Sequence, residues 1–203
     1  MFSENEIATM LEISAIQEAT IAIKKKFIEQ EVSMLDVSDH DFLSLIMMTP
    51  AIGVALANGS ISLFEELALN KMARKMSKGG YFLKVDPVAH AMKFVIASYD
   101  VWEAQFFEVI KICMKATFTK EQVMNGTPSS IDDPIQRFAR DLMTVPYIFV
   151  RFLSTMVLND ESDIVEQRSI SKVEYDKILD IGDKMGLKEI PVFRSFCDTF
   201  NVK

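Results

Sequence analysis

The sequence predicts an all-α protein, a compact bundle of many helices. Glycine and proline contribute only 7 and 6 of the 203 residues, so few positions break helices or supply the turns of a β architecture. Hydrophobic residues make up 49% of the chain and recur at helical spacing, which indicates amphipathic helices. A chain of this length can bury a substantial core. We expect one all-α domain over residues 1–203, with residues 125–132 (NGTPSSID) as the segment most typical of a linker.

Apolar periodicity predicts two helices in the first part of the chain. One runs from about Glu4 to Ser33. The other begins after Ser38, and Pro50 is expected to end or kink it, because proline lacks an amide donor and clashes with the preceding turn.

Later helices are marked by residues that are typical of helix starts. Ser62 and Glu65 form a capping box, in which the hydroxyl and the carboxylate each accept a backbone amide, and this helix should run to about Ser77. Asp86-Pro87 and Asp133-Pro134 each place a capping aspartate before a proline at the first helical position. The remaining predicted boundaries are helix starts at Thr119, Pro146, Ser171 and Pro191, a break near Tyr99 and a helix stop at Gly186.

Two segments of the chain resemble each other and predict an internal duplication. Residues 61–76 (ISLFEELALNKMARKM) and 170–185 (ISKVEYDKILDIGDKM) agree at 5 of 16 positions. An apolar helix that starts at a proline precedes each segment, 11 residues upstream in the first and 24 in the second. We therefore expect two pseudo-symmetric helix–loop–helix repeats, at about 42–77 and 143–186, that differ chiefly in loop length.

The first repeat resembles the hallmark of the tellurite-resistance TerB-like family. Residues 55–65 (ALANGSISLFE) are similar to its Ala-Asp-Gly turn and Ile-Ser-x-x-Glu helix start, and residues 157–186 resemble its second copy with an expanded loop. The resemblance implies a helical fold with two related halves and, for some members, metal binding through acidic residues. Asn58 replaces the loop aspartate and residues 158–160 replace the second Ala-Asp-Gly, so part of the implied acidic set is missing here.

The acidic loop of residues 159–169 (NDESDIVEQRS) is the best candidate for a ligand site in the sequence. Asp160 and Asp163 lie in it, and Glu174 follows at the start of the next helix. Clustered carboxylates suit a hard divalent cation such as calcium. The loop is not an EF-hand, because Ile164 and Ile170 stand where that motif needs a glycine and a bidentate glutamate. A loop with merely solvated charges is the alternative interpretation.

Motifs of known catalytic chemistry are missing, and we expect neither a catalytic residue nor a bound cofactor. The sequence has no nucleophile-elbow serine, phosphate-binding glycine loop, Cys-x-x-Cys or di-iron Glu-x-x-His pair. His40 is expected to be exposed at a helix start. We interpret His90, one turn after Asp86, as a first-turn histidine rather than half a metal site. Cys113 and Cys197 lie in apolar patterns typical of inert core thiols.

Charge and hydropathy exclude two classes of partner. The net charge is −7 and no basic run exceeds residues 24–26, which argues against nucleic-acid binding. Residues 42–64 carry no charge, but Pro50 and Asn58-Gly59 divide them into two helices and a turn, so no membrane insertion is expected. With two cysteines and no signal-peptide pattern, the expected compartment is the cytoplasm.

Two functional hypotheses follow from the sequence. The first is a non-enzymatic TerB-like helical protein in binding or stress-related regulation, with weak divalent-cation binding. The alternative is a helical module that uses its 15 Phe and 13 Met residues to bind an apolar ligand or to dimerise. The corresponding partner is an unidentified protein or a second copy of this chain.

Overall fold

The structure is a computed structural model that describes residues 1–31, 35–79, 86–124, 130–158 and 164–203. These residues form a compact all-α bundle with one very small sheet, which confirms the predicted fold class. The helices are α1 (Glu4–Leu11), α2 (Ser14–Gln30), α3 (Asp39–Met47), α4 (Thr49–Ala55), the 3-10 helix η1 (Leu56–Asn58), α5 (Leu63–Met76), α6 (Pro87–Ala97), α7 (Tyr99–Thr117), α8 (Lys120–Met124), α9 (Pro134–Leu142), α10 (Tyr147–Ser154), α11 (Lys172–Lys184) and α12 (Pro191–Asp198).

The prediction of a single first helix was wrong, because the chain breaks into α1 and α2. Glu12 closes α1, and Ile13 has an extended backbone before α2 begins. The break allows α1 to pack against α3 and α5 while α2 packs against α7. Tertiary packing thus overrides an uninterrupted apolar pattern.

The pair α3 and α4 forms the centre of the bundle. Residues 40–55 are all buried, and the two helices bend by 43° at the position where Pro50 enters the first turn of α4. No single helix in the described ranges is long and apolar enough to cross a membrane, although the bent pair Asp39–Met47 and Thr49–Asn58 meets the length and composition criteria.

Aromatic side chains join the central pair to its neighbours. The Phe27 ring of α2 lies 4.9 Å from Trp102 of α7 and 5.4 Å from Phe42 of α3, measured between ring centroids. Phe106 contacts Phe42 at 5.8 Å, and all four rings are buried. Burial of such rings supplies much of the hydrophobic free energy of a helical core.

The predicted helix starts are confirmed by their capping hydrogen bonds. Ser62 and Ser171 each accept from the amide three residues ahead, while the carboxylates of Glu65 and Glu174 accept from the serine amides. Asp86 and Asp133 cap α6 and α9, each of which has a proline in its first turn.

The structure contains two short strands where the sequence predicted a loop and the end of a helix. Strand β1 (Arg168–Ile170) pairs in parallel with β2 (Phe200–Val202), with Ser169 opposite Asn201. Three-residue strands are too short to show an alternating pattern, and their pairing joins residues that are distant in sequence.

The two predicted repeats share local elements but have different surroundings. Each contains an apolar helix followed by a capping-box helix, α4 with α5 and α10 with α11. Helix α4 is entirely buried, whereas Tyr147 of α10 is exposed. Helix α11 packs against α4 and η1, so elements of the two units contact each other. The duplication itself stays a prediction.

Candidate functional site

A groove of about 480 Å³ lies where three helix ends meet. It is bounded by the end of α7, by α8 and by the turn between α11 and α12. Phe118 closes α7, and the Thr119 amide donates to Gln122 Oε1 at 2.8 Å as α8 begins. Gly186 has a φ of +74°, a left-handed conformation that suits glycine and turns the chain away from α11. We refer to this concavity as the groove.

The floor of the groove is apolar and formed by side chains that are already packed in the core. Met114 of α7, Val123 of α8 and Met185 after α11 are each at most 7% exposed, and Ile190 joins them from the start of α12. Met124 forms a wall and is 38% exposed. Methionine side chains are flexible and polarisable, so the Met124 wall can adapt to the shape of an apolar ligand above a floor that is held by core packing.

Among the described residues, the rim of the groove carries four lysines, namely Lys111, Lys115, Lys120 and Lys184, and two acidic residues, namely Asp183 and Glu189. Each of these two acidic residues lies near a basic side chain that does not line the groove. Asp183 lies 3.9 Å from Lys188 and Glu189 lies 2.5 Å from Arg194.

Two of the rim lysines are paired with carboxylates outside the groove. Lys111 Nζ lies 2.7 Å from Glu108, and Lys184 Nζ lies 2.7 Å from Glu103. Neither Lys115 nor Lys120 forms an ion pair with any residue in the part of the chain that the structure describes. The rim therefore presents two ammonium groups that form no ion pair within the described residues, although the Glu121 carboxylate lies near Lys120.

The neighbouring carboxylate of Glu121 is engaged at the start of α8. It accepts hydrogen bonds from its own backbone amide and from the Thr119 hydroxyl, and these, with the nearby charge of Lys120, hold the pKa of Glu121 below its usual value. Glu121 does not line the groove.

A compact ionic cluster lies beside the groove and bridges α7 and α11. In this Glu103 cluster, Lys177 and Lys184 each donate to the Glu103 carboxylate at 2.7 Å, and Asp180 lies 2.8 Å from Lys184. Partial burial works to raise the pKa of Glu103, but the two lysine hydrogen bonds and charges outweigh it and lower that pKa. The cluster is internally neutralised and connects the two helices.

A second cavity, of about 510 Å³, lies on the other side of this cluster. Tyr99 and Lys177 line it together with Gly53, whose missing side chain makes room for the tyrosine: a Cβ there would lie 2.1 Å from Tyr99 Oη. The Tyr99 hydroxyl donates to the Thr49 carbonyl, and burial together with Glu103 raises its pKa. Lys177 and the Tyr99 hydroxyl at this cavity are therefore already bonded to protein partners.

The predicted metal site stays a prediction, because Glu174 is the only one of its three ligands among the described residues. Asp160 and Asp163 lie outside the described residues. The Glu174 carboxylate accepts from the Ser171 amide at 2.7 Å and so closes the capping box of α11. No group of three or more histidine, cysteine or acidic side chains suited to a metal occurs among the described residues.

The histidine and cysteine predictions had different outcomes. The prediction that His40 is exposed was wrong: it is 7% exposed, with Nε2 3.0 Å from the Glu4 carbonyl, because α1 packs against the start of α3. His90 is exposed and its ring contacts the edge of Phe94. Cys113 and Cys197 are buried as predicted, and burial raises the pKa of each thiol to about 12.

Sequence reasoning missed the groove, although part of its signal was present. The abundance of phenylalanine and methionine indicated an adaptable apolar surface, and Lys111 and Lys115 are one turn apart at the end of α7. What the sequence did not show is that the end of α11 lies beside these residues.

Comparison with protein-family models, with curated proteins and with solved structures finds no match for this chain.

Proposed function

We propose that this chain is a non-enzymatic binding protein whose groove takes an apolar ligand. The observation that carries the proposal is the combination of an apolar, methionine-rich floor with an open mouth in a concavity of about 480 Å³. Small-molecule sites are commonly concave and mostly apolar, with volumes of about 300–1,000 Å³ and a few polar groups at the edge.

The position of the groove also supports a ligand site. It lies at the junction of three helix ends rather than along a continuous helix face, and its floor is fixed by core packing of Met114, Val123 and Met185. A floor held by the core is already formed before binding, so little conformational entropy is lost when a ligand enters.

The proposal is tested with the uncharged fluorophore Nile red, whose emission rises in an apolar site. The test variant is Met124→Asp, which places a charge on the groove wall at a partly exposed position. Its matched control is Met143→Asp, because Met143 is 86% exposed and does not line the groove. We expect Met124→Asp to weaken Nile red binding by about tenfold, the cost of a charge against an apolar ligand, and the control to bind like the wild type.

Absence of Nile red binding by the wild-type protein would overturn the proposal. Equal loss of binding in both variants would overturn it as well, since the dye would then bind away from the groove. Circular dichroism of both variants verifies that the helical fold is retained.

A further inference from the structure

We infer that the ligand of the groove is an anionic single-chain amphiphile, such as a long-chain carboxylate, whose headgroup is bound by Lys115 and Lys120. This inference rests on the proposed function and adds the chemical class of the ligand. It follows from the distribution of charge at the rim, from the position of these two lysines on their helices and from the volume of the groove.

The rim is locally positive on a protein that is acidic overall. The chain carries a net charge of −7, yet the groove is lined by four lysines and two acidic residues among those described. Asp183 and Glu189 are matched by Lys188 and Arg194, and Lys111 is matched by Glu108. The charges left for a ligand are those of the two unpaired lysines, which complement an anion and oppose a cation.

Compensation of helix dipoles does not explain both lysines. Lys115 lies in the last turn of α7, where a cation interacts favourably with the carbonyl end of the helix. Lys120 is the first residue of α8, a helix of five residues whose first turn already carries Glu121, so the Lys120 charge compensates no helix dipole.

The geometry places charge and apolar surface as an amphiphile requires. The exposed lysines form one edge, while Met114, Met185 and Ile190 form the buried floor below them. Lysine binds a carboxylate as a compact point charge and needs no bidentate geometry. A volume of about 480 Å³ lies in the lower half of the range for ligand sites, which favours one alkyl chain over two.

The experiment compares three probes with the same twelve-carbon chain and different headgroups: dodecanoate, dodecanol and dodecyltrimethylammonium. Each displaces Nile red from the wild-type protein, below its micelle concentration and at a pH well above the pKa of a carboxylic acid. We expect dodecanoate to bind about tenfold more tightly than dodecanol, since two exposed ion pairs contribute modestly, and the cation to bind more weakly than either. Salt should reduce the advantage of dodecanoate over dodecanol.

A pair of double variants tests whether Lys115 and Lys120 bind the headgroup. The double variant Lys115→Gln/Lys120→Gln should bind dodecanoate and dodecanol equally, while its affinity for dodecanol stays that of the wild type. The control is Lys25→Gln/Lys93→Gln, which removes the same charge from exposed positions on α2 and α6. It should retain the tenfold preference.

The outcomes separate the inference from the proposed function. Equal affinity of the wild type for dodecanoate and dodecanol, or tighter binding of the cation, would overturn the inference and leave the apolar site standing. A preference for dodecanoate that survives in the Lys115/Lys120 variant would overturn the assignment of the headgroup. If neither Nile red nor any of the three probes binds, both the inference and the proposed function are overturned.

Discussion

The Glu103 cluster and the groove are neighbours on α7 and α11, and they use lysine in opposite ways. In the cluster, Lys177 and Lys184 share one carboxylate and connect two helices. At the groove, Lys115 and Lys120 lie beside an apolar floor and form no ion pair with a carboxylate in the described structure. The role of a lysine here therefore depends on its partner: the paired lysines connect helices, and the two unpaired lysines lie beside a concavity.

The largest expected effect comes from Gly182, the residue at which α11 packs closely against Phe193 of α12. A Cβ at Gly182 would lie 2.1 Å from Cζ of Phe193 in α12, so Gly182→Ala should force the two helices apart. We expect a loss of about 2–3 kcal/mol in the free energy of unfolding, the size of overpacking effects in cores. Urea denaturation measures this loss, and adding Phe193→Leu should recover part of it. Full stability of Gly182→Ala would contradict the packing described.

Removing the Glu103 carboxylate tests whether the paired lysines of the Glu103 cluster stabilise the fold. Glu103→Gln should lower the free energy of unfolding by about 1–2 kcal/mol, because the amide carries no negative charge and its NH2 group cannot accept from the second lysine. Glu108→Gln is the matched control on the same helix: Glu108 is exposed and paired with one lysine, so its loss should cost at most about 0.5 kcal/mol. Nile red binding should be unchanged in both variants.

The contribution of Glu103 also has a defined pH dependence. Its pKa in the folded protein lies below the unfolded value of about 4.3. The stabilisation is therefore fully present above that unfolded pKa and is lost as pH falls through the folded pKa. Denaturation of the wild type and Glu103→Gln should give a constant difference near neutral pH that shrinks in acid. A difference that grows on acidification would contradict the lowered pKa.

Removing Lys115 and Lys120 tests whether the unpaired lysines of the groove are unimportant for stability. Lys115→Gln/Lys120→Gln should change the free energy of unfolding by less than about 0.5 kcal/mol, since no protein ion pair is lost. Thermal and urea denaturation in the absence of ligand measure this change. A marked destabilisation would show that these side chains support the fold, as the lysines of the Glu103 cluster do.

The smallest expected effect concerns Asp160 and Asp163 of the acidic loop, which lie outside the described residues. The divalent-cation hypothesis predicts that calcium or magnesium raises the Tm slightly, because weak binding to the folded state adds little stability. Asp160→Asn with Asp163→Asn should abolish the rise. No shift with any divalent ion would contradict the hypothesis.

Most helix boundaries were predictable because they depend on residues close together in the sequence. Features that depend on contacts between distant residues were not predictable. The Ser62–Glu65 and Ser171–Glu174 capping boxes involve residues three apart, so the sequence alone identified them. The break at Ile13 was missed because it depends on where α1 packs. Burial of His40 depends on the same contact.

The groove could be predicted only in its parts. Methionines and lysines near residues 111–124 were visible in the sequence, but the groove exists because residues 183–190 lie beside them in the fold. Likewise, no local rule shows that Glu103 neutralises Lys184, some eighty positions later, and leaves Lys115 unpaired.

The most direct test of the ligand site is an NMR titration that follows methionine methyl groups labelled with carbon-13. As dodecanoate is added, the methyl signals of Met114, Met124 and Met185 should shift together, because these residues line the groove. The signal of Met143, which is exposed elsewhere, should stay in place. Shifts confined to methionines outside the groove, or no shifts at all, would contradict the account.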